Sequence, residues 1–244
     1  FYAYCLLGAY EAAMQSGSPL PDIAKQFHVD PLIKTTVKPK TVNRSFSSLY
    51  AMLEVGRQIM PSGYLLEEKQ QKLVDYFKST RKLSDRDISQ QIRYATDVAG
   101  QVMRYARSDG YNKLSTYTRY TPNKEEGRWY PTPPEYMPAI EPRWETIRPF
   151  YMDSATQFVP APPAPFSKDT TSSFYRQMVE VYNISQQLTQ EQREIAAFWD
   201  CNPFAVTYSG HMAIGLKKIT PGGHWMGIAG IVSNKARLSL DSAI

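Results

Sequence analysis

The sequence predicts an all-α protein: a helical bundle interrupted by a long irregular segment rich in proline and aromatics. Three observations carry this. Ile88, Ile92, Ala95, Ala99, Val102 and Ala106 recur at alternating steps of four and three, which is one apolar face of a helix. Thr189 and Gln192 stand at capping-box spacing ahead of Ile195, Phe198 and Trp199. Between Ser108 and Phe166 the prolines crowd together, and Trp129, Tyr130, Tyr136, Trp144, Phe150 and Phe158 lie among them.

The elements follow in order. Residues 1–15 read as a buried helix, apolar nearly all round, with Glu11 its sole charge and Ser16-Gly17-Ser18-Pro19 closing it. This run has no initiator Met, so we expect the helix, and any leader peptide, to begin before Phe1. Residues 19–44 are loop-like, with Pro19, Pro21, Pro31 and Pro39 spread through them. A helix is expected from Ser45 to Met60, a break at Pro61-Ser62-Gly63, and a further helix from Glu67 to Ser79. Ser84 then caps the helix of residues 85–107, with Asp87 in its first turn, where the helix dipole favours negative charge. Arg86, Gln90, Arg93, Asp97, Gln101 and Arg104 lie off its apolar face.

Within the stretch from Ser108 to Phe166, the segment from Trp129 to Phe166 has two readings. It wraps the bundle as a brace, or it presents Trp129, Tyr130 and Trp144 to a sugar, lipid or peptide. The brace is preferred, because contiguous exposed aromatic patches are rare. Helices resume near Ser167, with Phe174, Met178, Val181 and Tyr182 on one face. The helix after Thr189 buries Ile195, Phe198 and Trp199 and stops at Asn202-Pro203. A loop with Tyr208, Gly210 and His211 leads to Lys217-Lys218. Thr220 and Pro221 open the last helix as N-cap and first-turn proline, and Trp225, Ile228, Val232 and Ala236 give its face. No glycine or proline stop follows through Ile244, so the pattern is expected to continue beyond it. The divisions are thus 1–107, 108–166 and 167–244, parts of one incomplete domain.

Composition narrows the function. The 244 residues carry a formal charge of +5, with lysines and arginines scattered among acids, and no nucleic-acid module is present. No apolar run approaches the ~20 residues of a membrane span. Cys5 and Cys201 stand outside any metal-binding spacing and read as two buried thiols, with a disulfide left open. No protein-bound divalent metal is expected.

With these elements placed, several pieces in order resemble one family. They are Ala3-Tyr4 with Tyr10-Glu11-Ala12, Trp129-Tyr130-Pro131-Thr132-Pro133-Pro134, Pro142-Arg143-Trp144, Arg148-Pro149-Phe150, and Phe158-Val159-Pro160 with Pro162-Pro163. Thr189-Gln190-Glu191-Gln192 through Ala196-Ala197-Phe198-Trp199 follows, then Pro221-Gly222-Gly223-His224-Trp225. The chain resembles the N-terminal half of the vanadium haloperoxidase-related proteins of the type 2 phosphatidic acid phosphatase superfamily. The resemblance implies an all-helical fold around a phosphate or vanadate pocket, and an extracytoplasmic location. It also implies three motifs: a lysine followed after six residues by Arg-Pro; Pro-Ser-Gly-His; and Ser-Arg with a later histidine.

None of the three is intact here. Glu141 stands seven residues before Arg148, where the first motif has lysine. Tyr64 follows Pro61-Ser62-Gly63, and a phenol does not titrate near neutrality as an imidazole does. No Ser-Arg pair exists. No catalytic residue is therefore assigned, and the expected partner of these residues is a C-terminal catalytic half holding a phosphate ester or vanadate. The candidate rim of an anion pocket is Lys217, Lys218, Gly222, Gly223 and His224, with His211 facing it: a helix N-terminus offers N–H groups and positive potential. Against that stands a structural reading, in which the glycines permit close packing and His224 bonds to a nearby loop. The alternative function is a non-enzymatic helical module that binds a partner through its Trp/Tyr/Pro-rich segment.

Overall fold

In a computed structural model the described residues are 1–14, 21–27, 35, 37, 42–133, 136–202, 206–209, 212–215 and 219–243. The helical class expected from the sequence holds. Helix α1 spans Tyr2–Met14, α2 Arg44–Ile59, α3 Glu67–Arg81, α4 Asp85–Arg107, α5 Ser173–Gln186, α6 Gln190–Trp199, α7 Pro221–Lys235 and α8 Leu240–Ala243. Short 3-10 turns lie at Ile23–Gln26, Gly63–Leu66, Tyr111–Thr116 and Trp144–Thr146. One strand pair departs from the expected loop: β1 (Val206–Ser209) and β2 (Met212–Gly215) form an antiparallel hairpin with Val206 opposite Gly215. Val206, Thr207 and Tyr208 are strand-favouring residues, a local preference the loop reading passed over.

The chain divides into two compact units. One gathers Phe1–Asn112, Ile147–Ser154 and Trp225–Ile244; the other gathers Lys113–Thr146 and Ala155–His224.

In the first unit α1, α2 and α4 pack on one another around Leu7, Ala12, Ala51, Val55, Tyr94, Val98 and Val102. Helix α4 matches its expected bounds, and the Ser84 side chain accepts from the Asp87 N–H as an N-cap. Its buried face is wider than the apolar repeat. Gln101, expected off that face, is buried and donates to Asp97. Gln91 is buried too, accepting from the Ser47 hydroxyl at 2.7 Å and the Asn43 N–H at 3.0 Å. Helix α1 can approach α2 because Gly8 has no side chain; a Cβ there would meet Val55 Cγ2 at 2.9 Å. A second cluster, Phe46, Val74, Phe77 and Ile88, joins α3 to α2 and α4.

Buried polar groups lock this unit. Glu54 accepts two bonds from Arg57 at 2.7 and 2.9 Å, one from Gln58 and one from Gln70, both at 2.8 Å. Burial alone would raise its carboxyl, but these donors outweigh that and hold it below the usual carboxylate range. Tyr94 donates to the Ala12 carbonyl at 2.9 Å, and Tyr4 to Asp109 at 2.8 Å. Burial pushes both phenols well above their ordinary range, helped by the nearby acids Glu11 and Asp109.

These shifts give opposite signs at the two ends of the pH scale. A phenol raised in the folded state contributes stability that is full below the unfolded value, about 10, and is lost as pH rises through the folded one. A depressed Glu54 contributes stability present above its unfolded value and lost as pH falls through the folded one. Urea midpoints measured across pH should therefore fall above about pH 10, where unfolded tyrosines begin to ionise. In Tyr94→Phe, which removes one of the two phenols, that alkaline decline should be shallower.

The second unit is thinly packed. Among its residues whose exposure is described, Cys201 alone is buried. Phe166 meets Phe174 edge-on at 5.1 Å, and Lys168 pairs with Glu126. The Thr189 capping box forms as its spacing predicts. The expected burial of α5 and α6 does not follow: Val181 is 68% exposed, Phe198 65% and Ile195 53%. Periodicity marks these apolar faces, but they stay largely exposed among the described residues.

The helix expected from Thr220 through Ile244 is divided: α7 stops at Lys235 and α8 begins at Leu240. Helix α7 ends at Lys235, where Arg237 takes a left-handed conformation (φ 50°) and the Leu238 N–H bonds back to the Ser233 carbonyl at 3.0 Å. That is a Schellman-type stop with arginine in the place usually held by glycine, so a search for glycine misses it.

Candidate functional site

Two of the expected landmarks turn out to be structural anchors. Arg148, from the sole Arg-Pro pair, lies against the C-terminus of α4. Its Nη1 donates to Ser108 Oγ at 2.8 Å and its Nη2 to the Tyr105 carbonyl at 3.0 Å, while the guanidinium lies 3.8 Å from the Tyr105 ring centroid. Its backbone N–H bonds to the Asp109 carbonyl at 2.8 Å. A cation here satisfies the orphan carbonyls of a helix end and favours the local dipole. Phe150 then packs on Tyr4 and Phe27, with ring centroids 5.1 and 5.9 Å apart. Residues 147–154 therefore brace their unit. The rest of the segment behaves differently: Trp129 is 52% and Trp144 58% exposed. The second anchor is Gly63 of Pro61-Ser62-Gly63, where a Cβ would stand 2.0 Å from the Arg57 carbonyl oxygen.

Of the candidate rim residues, Lys217, Lys218 and His211 lie outside the described residues. Gly222, Gly223 and His224 begin α7. Thr220 Oγ1 accepts from the Gly223 N–H at 3.2 Å, and the Thr220 carbonyl from the His224 N–H at 2.9 Å. Part of the anion-binding capacity of this terminus is thus taken by its own cap. The His224 ring stacks on Trp199 (5.1 Å, 21°) and meets Phe198 edge-on at 5.2 Å. Its Nδ1 lies 3.0 Å from Cys201 Sγ. Sequence reasoning did not foresee this pair, because its members stand 23 residues apart and match no motif spacing.

A groove of about 510 Å³ lies in the same unit, lined by Trp129, Pro131, Thr132, Met137, Pro138, Ala139, Ile140 and Asn202. Among the described residues no group of three or more His, Cys, Asp or Glu could hold a metal. Cys5 and Cys201 are both free thiols, and no described helix is long and apolar enough to cross a membrane.

The chain is similar in structure to a solved protein. The crystal structure titled as that of the first bacterial vanadium-dependent iodoperoxidase superposes with a TM-score of 0.83 and 31% identity over 99% of this chain. This is a vanadium haloperoxidase-like fold. The chain spans 57% of the length of that iodoperoxidase chain. No protein-family model matches the sequence, and no curated protein does. Arg148 is committed to the α4 terminus, His224 to Cys201 and Trp199, and the Gly223 N–H to Thr220.

Proposed function

We propose that these residues are the N-terminal helical portion of a phosphatase-like or vanadium haloperoxidase-like enzyme, whose catalytic motifs lie in a C-terminal half outside this sequence. The observation that carries the proposal is the likeness to the iodoperoxidase, which takes in 99% of this chain and 57% of that one. The exposed apolar residues of α5, α6 and α7 support it. Burying a side chain such as Val181, Phe198 or Trp225 is worth about 1.5–3 kcal/mol, and a C-terminal half packed on them would gain that stabilisation. These residues then act as scaffold. They hold the bundle, and they leave vanadate or a phosphate ester to side chains of the other half. By the same family reading the enzyme works outside the cytoplasm.

The test uses the complete protein. Incubated with orthovanadate, iodide and hydrogen peroxide, it should oxidise iodide if it is haloperoxidase-like. Without vanadate it should hydrolyse p-nitrophenyl phosphate if it is phosphatase-like. Absence of both activities would turn the reading to the alternative, a binding module, for which the groove beside Trp129 is the physical argument.

A further inference from the structure

We propose that Cys201 is a peroxide-reactive thiol, with His224 as the acid–base partner that activates it. The proposal does not depend on the function proposed above. The sulfur and the imidazole Nδ1 are 3.0 Å apart, close enough for the thiol proton to pass to the ring. Trp199 covers one face of that ring at 5.1 Å, nearly parallel. The stacked indole holds the ring in place beside the sulfur. Phe198 closes a second side edge-on at 5.2 Å. Cys201 is 9% exposed, so an oxidant that reaches it must be as small as hydrogen peroxide.

The chemistry balances. The thiolate sulfur attacks one peroxide oxygen, the S–O bond forms and the O–O bond breaks. The leaving hydroxide takes the proton from His224 Nδ1 and departs as water. Sulfur is oxidised by two electrons to a sulfenic acid, peroxide is the electron acceptor, and the imidazole returns to its neutral form. The sulfenic acid is reversible by an added thiol.

Cys5 is the internal reference, because burial raises its thiol and no imidazole faces it in the described contacts. In the complete protein, hydrogen peroxide followed by dimedone trapping and peptide mass spectrometry should label Cys201 at least about tenfold faster than Cys5. His224→Gln should slow labelling of Cys201 about tenfold and leave Cys5 unchanged. Equal wild-type rates at the two thiols would overturn the proposal, whether or not the variant folds. So would a folded His224→Gln protein that labels Cys201 as fast as wild type.

Discussion

Gly63→Ala is expected to lower the stability of the α1–α4 unit by about 3 kcal/mol, the upper end of the range for overpacking. The cause is backbone, not side chain. The new methyl would stand 2.0 Å from the Arg57 carbonyl oxygen, 2.6 Å from its carbon and 2.8 Å from its Cα. A side chain in the way could rotate, but the last turn of α2 cannot. Relief would require the turn at residues 60–63 to move outward, breaking the bond from the Gly63 N–H to the Met60 carbonyl. It would also shift Arg57, which holds Glu54 through two hydrogen bonds. Thermal unfolding followed by circular dichroism should show a fall in Tm of roughly 6–12 °C, at 2–4 °C per kcal/mol for a unit of this size. An unchanged Tm would mean that the turn does not sit against α2 as described.

Arg148→Met should cost about 2–4 kcal/mol, summing charged hydrogen bonds and a cation–π contact with allowance for partial exposure. Methionine keeps much of the stem's packing volume and removes the guanidinium. The Tyr105 carbonyl loses one of its donors but keeps the Ser108 hydroxyl and N–H, the Ser108 hydroxyl loses the one it accepts from, and the Tyr105 ring loses its cation. The loss should spread to Phe150 and the aromatic cluster it completes with Tyr4 and Phe27, because Arg148 fixes the entry of that stretch. Arg148→Lys should fall between the two. It keeps the charge at the helix terminus but not the planar fork that reaches two acceptors at once. Urea titration of the three proteins orders them, and a lysine variant as stable as wild type would show that charge alone matters.

The sequence carried some of this structure more clearly than the rest, for identifiable reasons. Helix α4 and the Thr189 cap were legible because their signals are local: an apolar repeat, a capping side chain, a charge in the first turn. The stop after α7 was missed because Arg237 holds a conformation for which glycine is the usual marker. Gln91 and Gln101 were hidden because a polar residue at a buried position is explained only by its partners, Ser47 and Asn43 on another part of the chain for one and Asp97 for the other. The apolar stripes of α5 and α6 were visible, but periodicity says which side is apolar and not what covers it. The Cys201–His224 pair needs the fold to bring α6's end and α7's start together, so no spacing rule reveals it. The role of Arg148 was obscured by its Arg-Pro dipeptide, which resembles a piece of a catalytic motif while the guanidinium serves a helix end.

The most direct test of the scaffold reading is turnover by residues 1–244 purified alone, compared with the complete protein in the same assays. With orthovanadate, iodide and peroxide, and separately with p-nitrophenyl phosphate, the isolated residues should show no rate above buffer while the complete protein turns over one of the two substrates. Turnover by residues 1–244 alone would place the reactive centre within this sequence and contradict the assignment.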